Sequence, residues 1–392
     1  MQYFSADWIF PVHAEPLQNA VLVMDNQGTV ESLMPIENSG IEKSNIRFYN
    51  GILCPGFVNT HNHLELSWAE GLIEENRGLH YFISRLEEVR NSINPEILQE
   101  AVNSTFAAME HNGIVATADI SNGLKTRDLK SNSSHYFHTF IEIFGSHPDR
   151  ADEIFRRALE MKEAFSPSSI TPHATYSLSD RLFEKISAYN QENKSILSIH
   201  HQETQDENLF FMDGSGSIAQ RRKIFTPDLP DFKGNGKRPI EHVWRYLRFA
   251  SKILLVHNTF TSLQDVDFIK THLPQAVFCL CPHANLYIEN RLPQVDMLWK
   301  SGIPLTLGTD SLASNHQISI LEEIKAIHSH FPAIPLQEVI RWATLNGAEF
   351  LGINQRFGSF EKGKKPAIVH ISHADNKTIT KQSRATRITA QL

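Results

Sequence analysis

The sequence predicts an α/β protein: a (β/α)8 TIM barrel with a small β-sandwich domain built from both termini. Three observations carry this expectation. Eight apolar runs of strand length recur through the middle of the chain, with helical patterns between most of them, which is the unit count of a (β/α)8 barrel. Both chain ends are rich in short strand patterns and hold no long helix pattern. The length of 392 residues fits a barrel plus a smaller unit, since such barrels run to about 250 residues. A doubly wound open sheet is the competing α/β arrangement.

Residues 1–50 and 360–392 are expected to form the composite small domain, and residues 51–359 the barrel. In the first piece, Ala20-Val21-Leu22-Val23-Met24 and Thr29-Val30-Glu31-Ser32-Leu33 flank Asp25-Asn26-Gln27-Gly28. Two apolar runs around such a turn read as a β-hairpin. In the last piece, Ala367-Ile368-Val369-His370-Ile371-Ser372 reads as a strand. The eight middle runs lie at 52–59, 113–120, 136–144, 169–175, 196–201, 252–257, 276–281 and 303–309. Helical periodicity covers Tyr81 to Val89, Glu96 to Glu110, Asp152 to Ala164 and Ile318 to His328. The connection at about 205–245 is too long for an ordinary barrel loop, and such loops are often lids. It is expected to cover the mouth, with an oligomer contact as the alternative. Its Gly214-x-Gly216-x-x-Ala219 is a weak match to a dinucleotide fingerprint, because no clear βαβ unit surrounds it; a flexible loop is the better reading.

Composition excludes several classes. There are 44 Asp and Glu against 37 Lys and Arg, a formal net charge of −7. No basic excess exists to neutralise phosphates, so a nucleic-acid partner is not expected. No run of 18 apolar residues occurs, so no membrane span is expected. Three cysteines are too few for a disulfide scaffold. The start of the sequence lacks a basic stretch followed by an apolar one, which points to a cytoplasmic location. The expected partner is a small-molecule substrate, with a homodimer left open. Twenty histidines stand out, because histidine is the commonest metal ligand and a frequent acid or base.

Four strand ends carry groups suited to a metal. His61-x-His63 closes the first run, and residues two apart on a strand share a face. Barrel enzymes place their chemistry at that carboxyl end. Ser198-Ile199-His200-His201-Gln202-Glu203 ends the fifth strand, where His200 supplies a third ligand and His201 points away as a structural residue. Glu203 follows the strand end and can curl back over the mouth, as general acid/base work beside an activated water requires. His257 ends the sixth strand and Asp310 the eighth. Alone, Asp310 could simply cap the next helix; four such strand ends together predict one site. Three imidazoles and one carboxylate suit one divalent metal, zinc or iron(II). Cys279-x-Cys281 on the seventh strand reads as apolar filling. The Pro-Cys-x-x-Cys signature of the unrelated zinc deaminases is absent.

Together, Pro55-Gly56-Phe57-Val58-Asn59-Thr60-His61-Asn62-His63-Leu64-Glu65, Pro172-His173-Ala174-Thr175-Tyr176-Ser177, His200-His201-Gln202-Glu203, Val256-His257-Asn258 and Gly308-Thr309-Asp310-Ser311-Leu312-Ala313-Ser314-Asn315 resemble the amidohydrolase superfamily, in its branch of aminohydrolases with one metal. The resemblance runs over nearly the whole chain. It implies that His61, His63, His200 and Asp310 bind the metal, that Glu203 shuttles protons, and that His257 orients the attacking water. Asp310 would also accept that water's proton. Two-metal members use a carboxylated lysine on the fourth strand, and Ser169-Ile170-Thr171-Pro172-His173 offers none. His173 would contact substrate, and Glu65 would accept hydrogen bonds from sugar hydroxyls or serve as a structural acid. The usual closing Gly-Lys-x-Ala-Asp is Gly363-Lys364-Lys365-Pro366-Ala367-Ile368 here, without the Asp.

Within that branch, His63-Leu64-Glu65-Leu66-Ser67, Phe140-Ile141-Glu142-Ile143-Phe144-Gly145 and Val256-His257-Asn258-Thr259-Phe260 most resemble 6-aminodeoxyfutalosine deaminases of the alternative menaquinone pathway. The implied reaction removes a ring amine as ammonia. Deaminases of guanine, cytosine or S-adenosylhomocysteine, and hydrolases of cyclic amide or C–Cl bonds, share much of the pattern. A non-catalytic metal-binding barrel would not need both Glu203 and His257.

Overall fold

The computed structural model describes residues 1–90 and 93–388. Strands β1 (Gln2–Ile9), β2 (Ala20–Met24), β3 (Val30–Pro35) and β4 (Arg47–Pro55) open the chain. Eight further strands follow: β5 (Phe57–Asn62), β6 (Ile114–Ser121), β7 (Tyr136–Ile143), β8 (Ser168–Pro172), β9 (Ile196–His201), β10 (Lys252–His257), β11 (Ala276–Leu280) and β12 (Leu305–Leu307). The last two, β13 (Ile368–Ser372) and β14 (Arg384–Ile388), return to the first group. The terminal strands form one six-stranded sheet in the order β14-β13-β4-β1-β2-β3. The expected hairpin is β2 with β3, antiparallel, with Leu22 opposite Leu33.

β5 to β12 form the barrel. They pair in parallel as β5-β6-β7-β8 and β9-β10-β11-β12. The two halves meet at both seams through the bridges Ala174 to His200 and Asn62 to Asp310. At the second seam the His61 carbonyl accepts from the Thr309 and Asp310 amides, at 3.0 and 3.1 Å. Gly308 permits this approach: a Cβ there would lie 2.7 Å from His61 Cβ and 2.9 Å from Cys279 Sγ. The strands are buried on both faces, which explains their near-continuous apolar runs.

One apolar run proves to be two strands. Residues 52–59 were expected to be the first barrel strand, but Ile52 to Pro55 pair with β13 in the terminal sheet. Phe57 onward pairs with β6. The break is Gly56, where a Cβ would sit 2.5 Å from Val115 and 2.7 Å from the Pro366 carbonyl. Both pieces are fully buried, so hydrophobicity does not mark the change of sheet.

The long connection after β9 is folded. It holds helices Gln205–Asp213, Gly216–Phe225 and Pro239–Leu247. Gly216 therefore opens a ten-residue helix after Ser215, with no strand leading into it. No helix among the described residues is long and apolar enough to cross a membrane.

Two buried histidines give the fold a sensitivity to acid. Burial pushes His135 and His138 down to about 3 from an ordinary 6.5, with Arg387 and Lys130 adding to it respectively. Below pH 6.5 the unfolded chain takes up protons that the folded chain refuses, so stability falls as pH drops from 6.5 toward 3. Each group steepens the fall by about 1.4 kcal/mol per pH unit. Thermal unfolding between pH 7 and 4 is expected to show a steep acid limb. His138→Gln, which can keep the bond to Ser169 Oγ, should make that limb shallower; an unchanged slope would contradict the assignment.

Candidate active site at the carboxyl ends of the barrel strands

His61 lies in β5 and His63 just beyond it, and their Nε2 atoms are 3.2 Å apart. Asp310, one turn past β12, places Oδ1 at 3.7 Å from His61 Nε2 and 3.5 Å from His63 Nε2. His200, near the end of β9, completes a group in which His61, His63 and His200 offer ligand atoms within 4.8 Å of one another. The backbone turns sharply at two of these strand ends: His257 has φ 73° and Asp310 φ 56°. Left-handed geometry costs a non-glycine residue roughly 1–3 kcal/mol and clusters at functional sites.

The ring tautomers suit a metal. His200 Nδ1 donates to the His173 carbonyl at 2.8 Å, which leaves Nε2 as a free lone pair. His257 Nδ1 donates to Asn285 Oδ1 at 2.9 Å, and the Asn285 amide returns to the His257 carbonyl. His257 Nε2 is then buried without a hydrogen-bond partner, 3.6 Å from Glu203 Oε1. Burial holds these rings neutral: His61 falls to about 4, His200 well below its ordinary range, and His257 is also lowered. A neutral imidazole is the ligand form. Burial pushes the Asp310 carboxyl up, but the adjoining His61 and His63 imidazoles outweigh it and hold the group low. The donor set of three nitrogens and one carboxylate oxygen therefore fits zinc or iron(II).

Glu203 sits just past β9 at 6% exposure. Burial raises its carboxyl well above the ordinary range, and the nearby Asp310 charge adds to this. Its carboxyl is thus shifted toward the protonated form, beside the Asp310 carboxyl that is shifted the opposite way. His201 turns away, as expected, and bonds Asn258 Oδ1 at 3.0 Å. Cys279 and Cys281 are fully buried.

A cleft runs outward from this cluster. Its walls include Phe144, His173, Tyr176, Glu142 and the stripe Leu79, Phe82, Ile83 and Leu86 on helix Gly78–Arg90. Arg221, from the connection after β9, also lines it and pairs with Glu87 across the rim. That connection thereby forms part of the cleft wall. His173, expected to meet substrate, lines the cleft, with Nδ1 bonded to Ser177 Oγ at 2.9 Å. Glu65 does not line it. Its two oxygens accept from the Asn122 and Gly123 amides at 3.1 and 3.2 Å. These backbone bonds accord with the structural alternative for Glu65.

Two residues escaped sequence reasoning. Asp119 Oδ1 accepts from Asn62 Nδ2 and from the Leu64 amide, both at 2.8 Å, and so clamps the chain on each side of His63. Its other oxygen pairs with the buried Lys130 at 2.6 Å. Glu142, at the end of β7, stands 3.5 Å from His200 Nδ1. Each is an acid inside an apolar run near a strand end, the same signal that revealed His61 and Asp310, but only the packing shows which one faces the mouth.

A closed barrel with three imidazoles and a carboxylate converging at its mouth defines the class: an α/β-barrel hydrolase with a candidate metal centre. The chain belongs to the amidohydrolase family, whose model matches residues 52–390. It is similar to the 5-methylthioadenosine/S-adenosylhomocysteine deaminase of Teredinibacter turnerae, 22% identical over 94% of this chain and 84% of that one. Among solved structures it resembles Helicobacter pylori aminofutalosine deaminase in complex with methylthio-coformycin, with a TM-score of 0.81 at 20% identity over 99% of this chain and 100% of that one. The atrazine chlorohydrolase of Arthrobacter aurescens, complexed with zinc, gives a TM-score of 0.74 at 16% identity over 100% and 94%.

Proposed function

We propose that this chain is a metal-dependent aminohydrolase that releases a ring amine as ammonia from a purine nucleoside, with 6-aminodeoxyfutalosine the first candidate. The observation that carries the reading is Glu203: a buried carboxyl, raised in pKa, beside the unpartnered His257 Nε2 and the His61–His63–His200–Asp310 cluster. The similar deaminases of adenosine-like compounds support the substrate class.

A zinc or iron(II) ion held by His61, His63, His200 and Asp310 would supply a water that ionises near pH 7. The side chains then divide the proton traffic. His257 Nε2, a neutral acceptor, orients the water that attacks the amine-bearing carbon. Asp310, already ionised, takes that water's first proton. Glu203 gives its proton to the adjacent ring nitrogen, which draws electrons out of the forming tetrahedral carbon. The remaining hydroxyl proton returns to Glu203, while Asp310 passes its own to the amine. The C–N bond breaks, ammonia leaves and a ring carbonyl remains. One water proton reaches ammonia through Asp310 and the other replaces the proton that Glu203 gave to the ring nitrogen, so the step balances.

The test is ammonia release by purified protein from 6-aminodeoxyfutalosine, adenosine, S-adenosylhomocysteine, guanine and cytosine. The nucleosides are expected to lead. Chloride release from a chlorotriazine is the other reading that a structural neighbour favours; chloride without ammonia would replace the proposal.

A further inference from the structure

Glu142 carries a feature the reaction above does not use. The residue is 6% exposed and lines the cleft, yet its Oε1 has no hydrogen-bond partner. The other oxygen is held by Asn122 Nδ2 at 3.0 Å, so the side chain cannot swing away to find a donor without losing that bond. His200 Nδ1, 3.5 Å from Oε1, has its single hydrogen directed at the His173 carbonyl. A buried carboxylate oxygen left unpaired is costly, and native structures rarely leave one so without reason. The missing donor has to come from whatever fills the cleft.

His173 supplies a second acceptor beside it. Glu142, His173 and His200 present polar atoms within 4.8 Å of one another. Ser177 Oγ lies 3.2 Å from the Ala174 carbonyl and 2.9 Å from His173 Nδ1; we assign the tautomer in which the hydroxyl donates to the carbonyl and receives the Nδ1 hydrogen. His173 Nε2 is then a lone pair. Two adjacent acceptors with no donor between them match a ligand carrying two adjacent hydroxyls. The same geometry argues against a second metal here, because His200 meets this group through its protonated nitrogen.

We propose that Glu142 is a substrate-binding residue that accepts the vicinal hydroxyls of a sugar ring, with His173 as its neighbouring acceptor. The proposal rests on the nucleoside reading of the site and places the sugar against the end of β7.

The experiment compares adenosine with 2′,3′-dideoxyadenosine in the zinc-loaded protein and in Glu142→Gln. Hydrogen bonds to a charged group are expected to make the wild type favour adenosine by about 10–100-fold in kcat/KM. Glu142→Gln should lose most of that preference, chiefly through KM on adenosine, and change less than about threefold on the dideoxy compound. Zinc content should match wild type. Equal losses on both compounds, or loss of zinc, would overturn the proposal by placing Glu142 behind His200. The wild-type preference is a second measurement that does not depend on the variant folding. A wild type that deaminates both compounds alike defeats this proposal alone, whereas one that deaminates no nucleoside defeats the functional reading and this inference together.

Discussion

Glu203→Gln is expected to lower kcat by about 10²–10⁴-fold, the usual contribution of a positioned acid/base group, while the protein keeps its metal. Gln preserves the shape and the polar contacts of the side chain but carries no transferable proton. In the proposed scheme that proton reaches the ring nitrogen, and its arrival makes the carbon electrophilic enough to be attacked. Glu203 is suited to this because burial and the neighbouring Asp310 charge push its carboxyl toward the protonated form, while Asp310 is held low. Two carboxyls at one mouth are therefore shifted in opposite directions. Because Glu203 stands outside the proposed ligand set and Gln keeps its size and polarity, metal content measured on the variant should equal wild type. A variant within a few-fold of wild type would show that another group carries the proton.

Metal loss has the second large effect. Active protein is expected to contain one zinc or iron(II) per chain by elemental analysis, and stripping it with a chelator should abolish turnover. Restoring the ion should restore it. His200→Ala should bind the metal poorly and fall to background activity, because His200 is the proposed ligand from the opposite half of the barrel. Its ring is already fixed by the His173 carbonyl; an outer hydrogen bond of this kind typically matters by 10–100-fold in metal affinity. The cluster around Glu142 shares His200, so a second stoichiometric ion would require that ring to serve two sites through one free nitrogen. Two ions per active chain, or full activity without any, would overturn the assignment.

Much of this molecule was readable along the chain. Strands buried on both faces leave continuous apolar runs, and a polar residue at the end of such a run is conspicuous. His61, His63, His200, His257 and Asp310 stand out for that reason alone. Their common destination follows from topology, since every parallel barrel strand ends on the same side. Local chemistry also marked the hairpin of β2 and β3 and the helices between strands.

Other features depended on contacts between distant residues. Whether Ile52 to Pro55 join the terminal sheet or the barrel depends on β13, more than 300 positions along the chain. The carboxylates of Glu65, Asp119 and Glu142 look alike in sequence, each near a strand end. Backbone amides of Asn122 and Gly123 hold the first, Asn62, Leu64 and Lys130 hold the second, and the third keeps one oxygen unpaired in the cleft. The sequence by itself determined the barrel and the gathering of His61, His63, His200, Glu203, His257 and Asp310 at its mouth, because these follow from local periodicity and strand direction. Only the tertiary structure decided which acid keeps an unpaired oxygen in the cleft, because the donors that surround a carboxylate come from other strands.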